Sequence, residues 1–135
     1  MKLTQLLHRH GFIYDQLPLF LWALLIFISS SIPNVTLPEF EVISSDKLAH
    51  LIIYIILSAL LYRALAHQDR FPKLAKWSFV WTFIFAVVYG ATDEFHQLFV
   101  PNRDASFLDL AADALGAFIF VMYGFLSARS KRNAT

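Results

Sequence analysis

The sequence predicts an all-α membrane protein with four transmembrane helices in antiparallel hairpins and both termini cytoplasmic. Three observations predict it. Hydrophobic residues make up 58% of the 135-residue chain and mean hydropathy is +0.57, against about 45–50% apolar in an ordinary soluble domain. A soluble fold of this size could not hide so much apolar surface. The apolar residues also gather in four runs near the roughly 20 residues that a helix needs to cross hydrocarbon. Finally, Lys and Arg are segregated between alternate intervals of the chain. The length fits one domain, residues 1–135, and no internal repeat stands out.

The first span is expected at about 17–32, with Pro18 at a first-turn position and Pro33 closing it. Gly11 to Tyr14 reads as an interfacial lead-in. The same run also resembles a cleaved signal peptide, since Lys2 and Arg9 precede it and Ser29-Ser30-Ser31 resembles a cleavage site. Four spans fit the charge pattern better. The second span, about 47–65, begins after Ser44-Ser45, where a serine can cap free N–H groups and Asp46 suits the positive dipole end. The third covers about 74–95. The fourth, about 107–127, begins at Ser106 with Asp109 three residues on, a capping-box-like pair. Pro101-Asn102 reads as a tight turn, so the last two spans form a hairpin opening outward. Ala112 and Gly116, four apart, form a small-xxx-small pair for close helix approach.

Charge sets the orientation. Lys2, Arg9, Arg63, Arg70, Lys73, Lys76, Arg129, Lys131 and Arg132 fall on one side, nine of the 11 Lys and Arg. Lys47 and Arg103 fall on the other, with Glu39, Glu41, Asp46, Asp93, Glu94, Asp104, Asp109 and Asp113. The positive-inside rule then makes both termini cytoplasmic. Net charge is only +1, which gives a nucleic-acid partner no global support. With no cysteine, disulfides, thiolate metal sites and cysteine nucleophiles are excluded.

This topology collects the polar residues at the outer ends of spans two, three and four. Asp46, His50 and Tyr54 make a stripe along the second helix, and Tyr89, Asp93, His96 and Gln97 another along the third. Glu94 lies about 100° from Asp93 around the third helix. Asp109 and Asp113 share a face of the fourth, and Arg103 sits in the turn. Bland roles exist for each: Asp46 and Asp109 as caps, Lys47 snorkelling to head groups, Glu94 and His96 as interfacial residues, Tyr54 and Tyr89 as packing. Asp93, Asp113 and His50 are harder to dismiss, because unpaired polar groups inside a span are costly. Their structural alternative is a network of Arg103 with Asp93 and Asp113. The functional reading is a site for an anionic head group. Arg103 and Lys47 clamp phosphate, and Asp93, Glu94 or Asp113 acts as base or acid with His50. Ser106 lies close by. No cofactor is predicted. Carboxylates with His50 and His96 could take a divalent metal, but no HExxH or other tight ligand motif is present. P-loop, GxGxxG and GxSxG signatures are also missing.

The pattern Asp46-Lys47-x-x-His50-x-x-x-Tyr54, then Thr92-Asp93-Glu94-x-x-Gln97-x-Phe99-Val100-Pro101-x-Arg103-x-x-Ser106-x-x-Asp109-x-x-x-Asp113-x-x-Gly116, resembles the VanZ-like family of small bacterial membrane proteins. Ser29-Ser30 before Pro33 is similar to that family's first-helix ending. The resemblance covers about residues 17–124. It departs at Asp113, where the family often has Asn, and at Asn102, where Gly is common. Asn cannot act as a base, which counts against Asp113 as one. The resemblance implies a multi-pass protein of the bacterial inner membrane. The family's namesake is associated with low-level resistance to the lipoglycopeptide teicoplanin. The expected partners are membrane lipids or a lipid-linked envelope precursor, with a homo-oligomer left open. A membrane-embedded hydrolase or transferase acting on a lipid head group is the alternative, and a structural or accessory subunit the second.

Overall fold

The structure, a computed structural model, describes residues 3–33 and 42–133, with side chains from 13 to 33 and from 47 to 133. Every element among them is a helix: α1 (Leu3–Ser30), α2 (Val42–Ala66), α3 (Pro72–Lys76), α4 (Ser78–Gln97) and α5 (Phe107–Asn133).

The helices alternate in direction. Midway along α1, Asp15 accepts from Arg63 Nε at 2.7 Å and lies 3.3 Å from His67 Nδ1, in the last turn of α2 and just past it. At the opposite end of the bundle, the last turn of α1 meets the last turns of α4, and the start of α2 meets the start of α5. α2 is the central element and packs against α1, α4 and α5. Trp22 Nε1 donates to Ile53 O and Gln16 Nε2 to Ala64 O, fastening α1 along it. Ile26, Tyr54, Leu57, Ala86 and Ala117 are buried where the four long helices meet. Outside this seam the surface is apolar: Phe20, Leu24, Ile52, Phe85, Ile119 and Phe125 are all exposed. A surface of that kind suits hydrocarbon rather than water.

Three helices are long and apolar enough to cross a membrane: α1 over Ile13–Ser30, α2 over Lys47–Ala66, and α5. The third expected span, 74–95, is divided. Phe71 precedes Pro72, which opens the short α3, and Trp77 separates α3 from α4. α4 carries Thr82, Thr92, Asp93, Glu94, His96 and Gln97, and this polar content keeps it out of the group of three.

Two helix starts also differ from expectation. α1 begins well before Pro18, which lies inside it. Proline has no N–H to give the carbonyl four residues back. That acceptor, Tyr14 O, takes a hydrogen bond from Arg63 Nη2 instead, so the proline is accommodated rather than used as a start. α2 begins at Val42, ahead of Ser44-Ser45, which therefore lie in its first turn and do not precede it. Glu39, Glu41 and the Asp46 side chain lie outside the described residues.

The α2–α5 crossing is closest at Gly116. A methyl group there would run into the Leu51 carbonyl oxygen. The small residues that matter are Gly116 and Ala117, fully enclosed, whereas Ala112 is only half-buried. The seam follows Asp113, Gly116 and Ala117, shifted around the helix from the expected Ala112–Gly116 pair. Between α4 and α5, Pro101-Asn102 forms the expected turn, and Asn102 adopts φ 58°. Asn tolerates this left-handed backbone better than most residues.

Candidate functional site

Ser106 is the hinge of the site. Its Oγ accepts from Asp109 N at 3.3 Å, capping α5 as expected. A capping box would return the Asp109 carboxylate to the Ser106 N–H. That N–H goes instead to Glu94 Oε2 of α4, at 2.7 Å. Asp109 is thereby released to accept from Lys47 Nζ of α2 at 3.0 Å. One cap thus joins α2, α4 and α5.

Deeper in, His50 Nδ1 lies 2.9 Å from Asp113 Oδ1. Asp113 is almost fully buried, and its other oxygen packs over Gly90 of α4. A methyl group at Gly90 would lie 3.0 Å from Asp113 Oδ2 and 3.3 Å from the Tyr54 ring. The small residue at 90 is therefore what admits the carboxylate between α4 and α5. Glu94 stands beside this pair: one ligand atom each of His50, Glu94 and Asp113 all lie within 4.8 Å of one another. Glu94 Oε1 is buried and, among the described residues, no donor reaches it; the Tyr54 hydroxyl is buried in the same condition.

Asp93 is committed differently. Its Oδ1 accepts from Ser30 Oγ at 2.6 Å and its Oδ2 from Gln97 Nε2 at 3.1 Å. It ties α1 to α4 and leaves no oxygen undirected. Ser31 Oγ pairs with His96 Nε2 at 3.0 Å, and the His96 ring packs on Phe27. The sequence alone does not mark Ser30 and Ser31 as site residues. Their signal was the Ser29-Ser30-Ser31 run, which read more easily as a cleavage site.

The structure therefore brings Lys47, His50, Asp93, Glu94, Ser106, Asp109 and Asp113 to one end of the bundle. Tyr54 and Gln97 back the cluster from within, at 1% and 3% exposure. Tyr89 belongs to helix packing, with its hydroxyl donating to Ala23 O at 2.6 Å. Arg103 does not join Asp93 or Asp113. Its Nε donates to Ile32 O at 3.1 Å and its Nη2 to Ser29 O at 3.0 Å. The last carbonyls of a helix have no partner within it, and Arg103 supplies one for the end of α1.

That placement makes a prediction. Arg103→Ala is expected to lower stability by about 1 kcal/mol, because the lost bonds are exposed and water replaces them in part. Thermal unfolding in detergent checks it. An unchanged melting temperature would contradict the capping role.

An all-helical bundle with three membrane-length apolar helices and a charged cluster at one end has the character of a small membrane protein. The chain belongs to the VanZ/LLP1 family, whose model matches residues 11–127. No curated protein and no solved structure matches it.

Proposed function

We propose that this is a four-span protein of the bacterial inner membrane, with both termini cytoplasmic, whose outward-facing cluster binds an anionic lipid or lipid-linked glycan head group. Supporting this reading is the gathering of Lys47, His50, Glu94, Asp109 and Asp113 from three helices at one end of a bundle with an apolar exterior. Charge segregation supports the orientation: Asp15, Arg63 and His67 mark the opposite end. α4 is the third of these spans, with most of its polar residues on its buried face. Ser78, Thr82, Ala86, Gly90, Asp93 and Gln97 of that face are all buried. A role in lipoglycopeptide resistance of the teicoplanin type would follow from occupying or sequestering such a head group.

Within the site, Lys47 is the cation best placed to meet phosphate. Its side chain is about one-third exposed and, among the described residues, makes a single ion pair, to Asp109. Arg103 stands nearby at the end of α1, with two donors committed to carbonyls. A membrane hydrolase or transferase is the second reading, and one observation favours it. Glu94 keeps a buried carboxylate oxygen that no donor among the described residues reaches, beside a His50–Asp113 pair. Glu94 would serve as base, with Asp113 holding the His50 ring in place; Asp93, fully hydrogen-bonded, is the poorer base.

The test is lipid retention measured by native mass spectrometry. Wild-type protein is expected to retain phosphatidylglycerol over phosphatidylcholine. Lys47→Ala should lose most of that preference, worth about 1 kcal/mol for one phosphate contact near a membrane surface, while Arg63→Ala keeps it. An undiminished preference in Lys47→Ala would refute the site.

A further inference from the structure

We propose that His50, Glu94 and Asp113 form a binding site for a divalent first-row cation. The three side chains come from α2, α4 and α5 and converge where those helices pack. Their donor atoms lie within 4.8 Å of one another. Ligands on opposite sides of one ion, with bonds of about 2.1–2.4 Å, stand about 4.2–4.8 Å apart, so one ion can reach all three. The 2.9 Å between His50 Nδ1 and Asp113 Oδ1 also matches the edge between adjacent ligands of an octahedral ion, about 3.0 Å for bonds of about 2.1 Å.

A second, independent observation points the same way. Glu94 is 6% exposed, and its Oε1 has no hydrogen-bond partner among the described residues. Leaving a carboxylate oxygen buried without a donor costs free energy that the single Ser106 N–H on Oε2 does not offset. A cation offsets it directly. Tyr54 is 1% exposed, its hydroxyl is also without a partner among the described residues, and its ring borders Asp113 over Gly90. One imidazole with two carboxylates suits Mn2+, Fe2+ or Zn2+ better than Ca2+, which prefers oxygen alone.

The cation also answers a difficulty in charge. Asp93, Glu94, Asp109 and Asp113 together would repel an anionic head group, against Lys47 and a histidine. A divalent ion reverses the local sign and can bridge protein carboxylates to phosphate. That bridging task rests on the head-group reading; binding of the ion does not.

The experiment titrates full-length protein in a non-ionic detergent, without added lipid, with Mn2+ followed by electron paramagnetic resonance. One saturable site is expected, with a nitrogen hyperfine coupling from the His50 ring. Glu94→Gln should weaken it by at least about tenfold, while Arg63→Ala at the far end leaves it unchanged. Three results would each overturn the proposal: no saturable binding by wild type, saturable binding without nitrogen coupling, or undiminished binding by Glu94→Gln. The first two need no variant and so do not depend on a variant folding. Phosphatidylglycerol retention is then compared with and without Mn2+. Bound Mn2+ that leaves retention unchanged would remove the bridging task alone.

Discussion

Gly116→Val is expected to prevent α2 and α5 from packing and to abolish recovery of folded protein. The obstacle is main chain: even a single methyl at 116 would run into the Leu51 carbonyl and crowd Ile55 N, at 3.3 Å. Neither group can rotate away, so α2 and α5 must separate along their shared seam, and overpacking typically costs about 1–3 kcal/mol or more. Because His50 and Asp113 lie on the same two helices, the separation also pulls the cluster apart. Gly124 provides the control. A methyl there would lie 2.6 Å from Phe79 Cε1, the edge of a side-chain ring, which can turn aside. Gly124→Ala should therefore fold with a modest loss of thermal stability. Size-exclusion profiles and unfolding temperatures of Gly116→Ala, Gly116→Val and Gly124→Ala check the order. Equal behaviour of the Ala variants would contradict it.

The second large effect concerns Asp113. Replacing it with Ala removes a buried carboxylate that faces His50 at 2.9 Å and fills the space over Gly90. Breaking a buried pair by deleting one member costs about 3–5 kcal/mol, so Asp113→Ala should lose most of its stability in detergent. Asp113→Asn keeps an oxygen that can accept from the ring N–H and nearly the same volume. It should retain more than half of that stability. Thermal unfolding of the two variants is the check, and comparable losses would show that charge, rather than shape and acceptor, holds the pair.

Much of this arrangement was legible in the sequence. Apolar runs gave the four long helices, and helical spacing placed His50 and Tyr54 on one stripe and Asp109 and Asp113 on another. Ser106 was readable as a cap because its chemistry is local. What stayed hidden depends on contacts between helices. Arg103 was expected to pair with carboxylates because charge was the only guide, and the carbonyls at the end of α1 carry no side-chain signature. The Glu94–Ser106 bond could not be foreseen for the same reason, since its donor is backbone. Gly90 reads as an ordinary glycine until Asp113 is seen against it. Pro18 favours a first turn, and only Arg63 filling Tyr14 O explains why it sits inside α1.

The central claim is that the end of the bundle holding Lys47, His50, Glu94 and Asp113 receives an anionic head group. The most direct measurement is a structure determined in nanodiscs containing phosphatidylglycerol. The account predicts head-group density beside Lys47, bordered by the Arg103 turn and by Glu94. Density confined to the Arg63–Asp15 end, with the Lys47 cluster closed and empty of lipid, would contradict it.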